Sequence, residues 1–130
     1  MAINNHTYSD LDLRFTPNLS TGDVALRYDA QAVISSVRNL LNTNKYDRKF
    51  QPDVSSGLNA LLFEPVTNIT ATLIENEVVR VITNYEPRVT INALNVVATP
   101  GKNQFNVALS MYIGNDIQPT SINLILTRTR

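Results

Sequence analysis

Residues 66–98 read VTNITATLIENEVVRVITNYEPRVTINALNVVA, and the spacing of apolar side chains changes within this run. Ile69, Leu73, Ile74, Val78, Val81, Ile82 and Tyr85 recur at three- and four-residue intervals, the inward face of a helix from about residue 66 to 85. Glu75, Glu77 and Arg80 fall on the outer side. The valines and isoleucines favour strands, yet the run is too long for one strand and its period is helical. Pro87 ends the helix, because a proline pushes the residue before it out of the helical region. Beyond it Val89 and Ile91 alternate with Thr90 and Asn92, and Leu94, Val96 and Ala98 continue one position out of step. A one-residue slip turns the apolar set to the other face, so the spacing predicts a bulge near Ala93.

The C-terminal remainder keeps the two-residue period. After a turn at residues 99–103, Phe105, Val107, Leu109, Met111 and Ile113 share one face. A second turn at Gly114, Asn115 and Asp116 leads through Pro119 to Ile122, Leu124 and Leu126. Toward the N-terminus, Leu58, Leu61 and Leu62 make a short helix closed by Pro65. Residues 44–57 form an ordered loop in which Tyr46 and Phe50 are expected to be pinned to the body. Ala30, Val33, Ile34, Val37, Leu40 and Leu41 define an earlier amphipathic helix, with Asp29 as its expected N-cap. Two short strands precede it, one carrying Leu11, Leu13 and Phe15, the other Val24, Leu26 and Tyr28. Residues 1–10 are polar and are expected to form a flexible arm. The fold class is therefore α+β: a short hairpin, about three helices and a C-terminal three-stranded antiparallel meander, one domain over residues 11–130.

Composition removes several functions. The chain has 130 residues, enough for one self-sufficient core. It has no cysteine, so thiolate metal sites, disulfides and cysteine nucleophiles are excluded. Eleven basic and eleven acidic side chains cancel, which gives no field for nucleic acid or anionic lipid. No apolar run approaches the roughly 20 residues of a membrane span, and the first ten residues lack the pattern of a signal peptide. Four glycines, at 22, 57, 101 and 114, never cluster into a phosphate loop. The single histidine, His6, lies on the expected arm, where a solvated side chain is the simpler reading than a triad base. No cofactor, metal site or small-molecule ligand is expected.

Paired carboxylates are the catalytic idea with material to work with. A glycosidase needs two acids across a cleft, one of them raised in pKa. Glu64 and Glu86 each precede a proline at a helix end. The chain has no tryptophan to stack a sugar, so solvated helix-end carboxylates are the simpler reading. The sharper feature is Glu86-Pro87-Arg88. On an extended backbone residues two apart project to the same side, so a carboxylate and a planar donor fork stand together at the helix-to-strand corner. Such a pair is equally a local lock or a rigid plug for a partner subunit.

In this setting Glu86-Pro87-Arg88 resembles the Glu-Pro-Arg signature of the sheath-initiator family of contractile injection machines. That family includes a small baseplate wedge subunit of contractile-tailed phages and its counterpart in type VI secretion baseplates. Further agreement comes from Gly22-Asp23-Val24, Asn39-Leu40-Leu41-Asn42-Thr43, Asp47-Arg48-Lys49-Phe50-Gln51-Pro52, Gly57 and Leu61-Leu62-Phe63-Glu64-Pro65. The chain departs from the family at residues 44–47, where Pro-Gly is common. The resemblance implies a non-enzymatic virion component, made in the host cytoplasm, that sits in the inner baseplate near the tail tube. It implies Glu86, Pro87 and Arg88 as the contact with the wedge core-bundle subunits. It also implies strand exchange between the C-terminal sheet and the tail sheath protein. The alternatives are a peptidoglycan-cleaving, lysozyme-like glycosidase using Glu64 or Glu86, and an adaptor domain of unrelated fold.

Overall fold

A computed structural model describes residues 6–128. In chain order the elements are β1 (Ser9–Leu11), β2 (Leu26–Tyr28), α1 (Asp29–Asn42), α2 (Leu58–Leu61), α3 (Asn68–Tyr85), β3 (Val89–Thr99), β4 (Gln104–Ile113) and β5 (Thr120–Thr127). β1 and β2 pair antiparallel, and β3, β4 and β5 form a separate antiparallel sheet in that order. This is the α+β architecture the hydrophobic periods predict.

The sheet's inner face holds the core. Phe105, Val107, Leu109, Met111 and Ile113 of β4 are all buried, as the two-residue period requires, with Ile122 of β5 beside them. α3 lies against this face through Ala71, Ile74, Val78, Val81 and Ile82, and α1 adds Val33, Val37, Leu40 and Leu41. The β3–β4 register shifts between Ile91 and Ala93, one residue from the expected bulge. That extra residue lets Val89 and Val96 both face the core despite their odd separation. The turn at Pro100–Lys102 is one 3₁₀ turn, closed by Asn103 in the left-handed region (φ 54°).

Two expectations of burial fail for one reason: an apolar side chain in a pattern does not say what covers it. Ile69 and Leu73 fall in the predicted helical stripe yet are exposed, because the buried stripe runs through Thr70, Ala71, Ile74, Val78, Val81 and Ile82 and leaves both on its flank. Tyr46 and Phe50 point away from the body instead of being pinned to it. The first strand also lies elsewhere than expected: β1 covers Ser9–Leu11 instead of residues 11–15, and Leu11, Leu13 and Phe15, with Leu26 and Tyr28, are exposed. Glu75 and Glu77, expected outside, are half-buried and used as braces. Glu75 accepts from the Val96 N–H at 3.0 Å. Glu77 accepts from the Gly57 N–H at 2.6 Å and from Arg80, whose hydrogen bond holds its carboxyl below the ordinary value.

The N-terminal segment also differs from expectation. Residues 1–5 of the expected arm lie outside the described residues. At His6 to Tyr8 the chain is tied to Asp29, which is not an N-cap. Its carboxylate accepts from the Thr7 and Tyr8 N–H groups at 2.9 and 3.2 Å and lies 2.9 Å from His6 Nδ1. Asp29 takes a left-handed φ of 49°, which turns its side chain back to this segment instead of along α1. No described helix is long and apolar enough to cross a membrane.

Candidate functional site

α3 ends where Pro87 requires it to, and Glu86 leaves the helix at φ −127°, ψ 81° while its own N–H still bonds Ile82 at 3.0 Å. The next residues are not extended. The Val89 N–H donates to the Glu86 carbonyl at 3.3 Å, closing a turn, and the strand begins at Val89, not Arg88. Proline suits the second position of such a turn, since its ring fixes the required φ. The turn, not an extended backbone, brings the two charges together.

Arg88 grips Glu86 with two parallel bonds, Nε to Oε1 at 2.7 Å and Nη2 to Oε2 at 2.9 Å. Ser36 of α1 donates its hydroxyl to Oε2 at 2.6 Å. Glu86 is 4% exposed, whereas the Arg88 side chain is one-third exposed and Pro87 is exposed. The Arg88 guanidinium lies over the Tyr8 ring, 5.3 Å from its centroid, a cation–π contact. Its carbonyl accepts from the Gly114 N–H at 2.8 Å, which fastens the corner to the end of β4. The helix, α1, the N-terminal segment and the sheet thus all meet at Glu86-Pro87-Arg88.

Burial is the largest single influence on the Glu86 carboxyl and pushes it up. The bonds from Arg88 and Ser36, with the Arg88 charge, outweigh burial and hold the group below its ordinary value. Arg88 is raised in turn, chiefly by its hydrogen bond to Glu86. A general acid needs the opposite shift. Glu86 is therefore an ionised anchor at neutral pH, and Glu64 is exposed just beyond α2. Among the described residues no group of three or more His, Asp or Glu side chains is placed to hold a metal.

Ser36, Tyr8 and Gly114 escaped the sequence reading. Ser36 is 50 positions from its partner, and a serine on an amphipathic helix gives no sign of which carboxylate it will meet. Tyr8 lies in a stretch without period. Gly114 was visible only as a turn residue.

The helices, the N-terminal segment and the sheet form a small α+β domain locked at one charged corner. The comparisons specify it. The profile of the family described as baseplate wedge protein gp25 matches residues 27–116. The baseplate wedge protein gp25 of Enterobacteria phage T4 is 32% identical over 97 residues, 75% of this chain and 73% of that protein. The chain belongs to the baseplate wedge protein gp25 family, and is thus a structural component of a contractile phage tail baseplate within the virion. The fold recurs in the anti-feeding prophage baseplate, with a TM-score of 0.73, 21% identity, and 85% of this chain and 88% of that one covered. It recurs in the post-contracted pyocin R2 baseplate, with a TM-score of 0.64, 24% identity, and coverages of 83% and 100%. A Geobacter sulfurreducens chain described as a tail lysozyme has the same fold, with a TM-score of 0.68, 19% identity, and coverages of 77% and 91%. At that identity the likeness concerns fold alone.

Proposed function

We propose that this subunit docks on the wedge core bundle through Glu86, Pro87 and Arg88, and that its C-terminal sheet then starts the tail sheath by strand augmentation. The role is structural, without a catalytic step. The observation that carries the reading is the division of labour at the corner. Glu86 spends its carboxylate on Arg88 and Ser36, and so acts as a positioning residue. A guanidinium has five N–H donors. Two are used by Glu86, which leaves a partly exposed, fixed fork beside an exposed proline for a partner carboxylate or carbonyl.

The sheet supports the second half of the reading. β4 is central, and β3 offers its outer Val96 N–H to Glu75 of α3. β5 is the other edge of this sheet, with Ile125 66% exposed on its outer face. An open edge is a template for an added strand. The sheath protein is the partner there, with the tail tube nearby.

Arg88→Lys tests the docking, because it keeps the charge and loses the fork. In wedge assembly from purified subunits it is expected to incorporate poorly while remaining folded. Wild-type incorporation by both Arg88→Lys and Arg88→Ala overturns the reading. The glycosidase alternative returns if the wild-type chain clears a peptidoglycan suspension and Glu86→Gln or Glu64→Gln does not.

A further inference from the structure

The segment joining α1 to α2 carries side chains that the fold does not use. Phe50 is 98% and Tyr46 70% exposed, with Lys45, Arg48 and Lys49 interleaved between and beside them. Among the described residues none of these three cations is paired with a carboxylate. Lys45 instead lies over the Tyr46 ring, Nζ 5.2 Å from the centroid. Asp47 is occupied, accepting from the Asn44 N–H at 2.7 Å.

This segment is braced. Backbone bonds from Asp47 to Asn44, Gln51 to Arg48 and Val54 to Gln51 wind it into successive turns. The Tyr85 hydroxyl of α3 donates to the Asp53 carbonyl at 2.7 Å and ties the far end to the body. Tyr46 sits at φ 70°, a left-handed conformation that a bulky side chain seldom enters. Such strain persists where the surroundings impose it, and it clusters at functional positions. A single exposed aromatic needs no explanation. Two of them, held out on braced turns among three unpaired cations, have the composition of a binding hot spot.

We propose that residues 45–50 form a second docking surface, whose partner is a protein face with Asp and Glu side chains around an apolar recess that takes Phe50. Three cations less the Asp47 carboxylate leave a local excess of two positive charges on a chain of zero net charge. That excess sets the acidic rim by complementarity, and the Phe50 ring sets the recess. A nucleic-acid partner fits less well, because two positive charges on a neutral chain give little counterion release. The proposal rests on the reading of the chain as an assembly subunit.

The probe is the purified baseplate of the parent tail, made without this subunit. A photo-crosslinking phenylalanine analogue at position 50 is expected to attach to a protein segment rich in Asp and Glu. Lys45→Glu/Arg48→Glu/Lys49→Glu is expected to slow association about tenfold or more at low salt, with the difference shrinking at high salt. Phe50→Ser is expected to speed dissociation. These side chains are exposed, so the variants should melt with the wild type. Crosslinks to nucleic acid or to a neutral or basic face, or a wild-type association rate for the triple variant, overturn the proposal. If the wild-type chain itself fails to bind these baseplates, the assembly reading falls and this surface with it. If Arg88→Ala alone fails while the triple variant binds normally, only this proposal is lost.

Discussion

Replacing Arg88 by alanine leaves the Glu86 carboxylate in place, 4% exposed, without its cation and with only the Ser36 hydroxyl as a side-chain partner. Breaking a fully buried pair from one side costs about 3–5 kcal/mol. Arg88 is one-third exposed, so water can enter the space it leaves, and about 2–4 kcal/mol at neutral pH is the better figure. For a domain of this size that lowers Tm by roughly 10 °C. The pH dependence is the sharper test. In the wild type the folded Glu86 lies below the ordinary value of 4.5, so its contribution is present above that value and lost as pH falls through the folded one. In Arg88→Ala burial dominates, and the folded carboxyl rises above its unfolded value. Its contribution is then present at low pH and lost as pH rises, so the stability gap between variant and wild type narrows from pH 7 toward about pH 4.5. Urea unfolding followed by circular dichroism at both pH values measures this, since the chain has no tryptophan. Glu86→Ala/Arg88→Ala, which buries no charge, should be more stable at neutral pH than Arg88→Ala alone. A gap that stays constant or widens, or a double variant less stable than the single one, refutes the reasoning.

Phe105→Ala removes the largest fully buried side chain, on the central strand, and should cost about 3–5 kcal/mol in urea unfolding. Gly114→Ala places a Cβ 2.9 Å from Tyr8 Oη at φ 58°, and should lose about 1 kcal/mol by thermal melt. Tyr8→Phe in the same chain should not restore it fully, because the backbone strain remains. Glu75→Ala frees the Val96 N–H on the β3 edge and should raise concentration-dependent self-association in sedimentation relative to the wild type.

The C-terminal half was the more legible part of the sequence. Phe105 to Ile113 alternate without a break because β4 is covered on one face only, and the slip between Ile91 and Leu94 marked the bulge within one residue. The Glu86–Arg88 pair was also legible, though a turn at Pro87, not the extended backbone expected, brings the two charges together. What local pattern missed was long-range or outward. Ser36 and Tyr8 reach the corner from 50 and 80 positions away, and no periodicity encodes that meeting. Asp29 looked like a cap because caps are the commonest use of an acid before a helix; its left-handed backbone sends it to His6, Thr7 and Tyr8 instead. Ile69, Leu73, Tyr46 and Phe50 looked like core because an apolar side chain in a pattern has the same chemistry whether it faces the sheet or solvent.

Hydrogen–deuterium exchange across the chain, before and after adding purified wedge core-bundle subunits, tests the docking claim most directly. The account predicts slower exchange over residues 85–91, with β5 unchanged until sheath protein is added and protected after it. Binding that leaves residues 85–91 exchanging as in the free chain, with protection elsewhere, contradicts it.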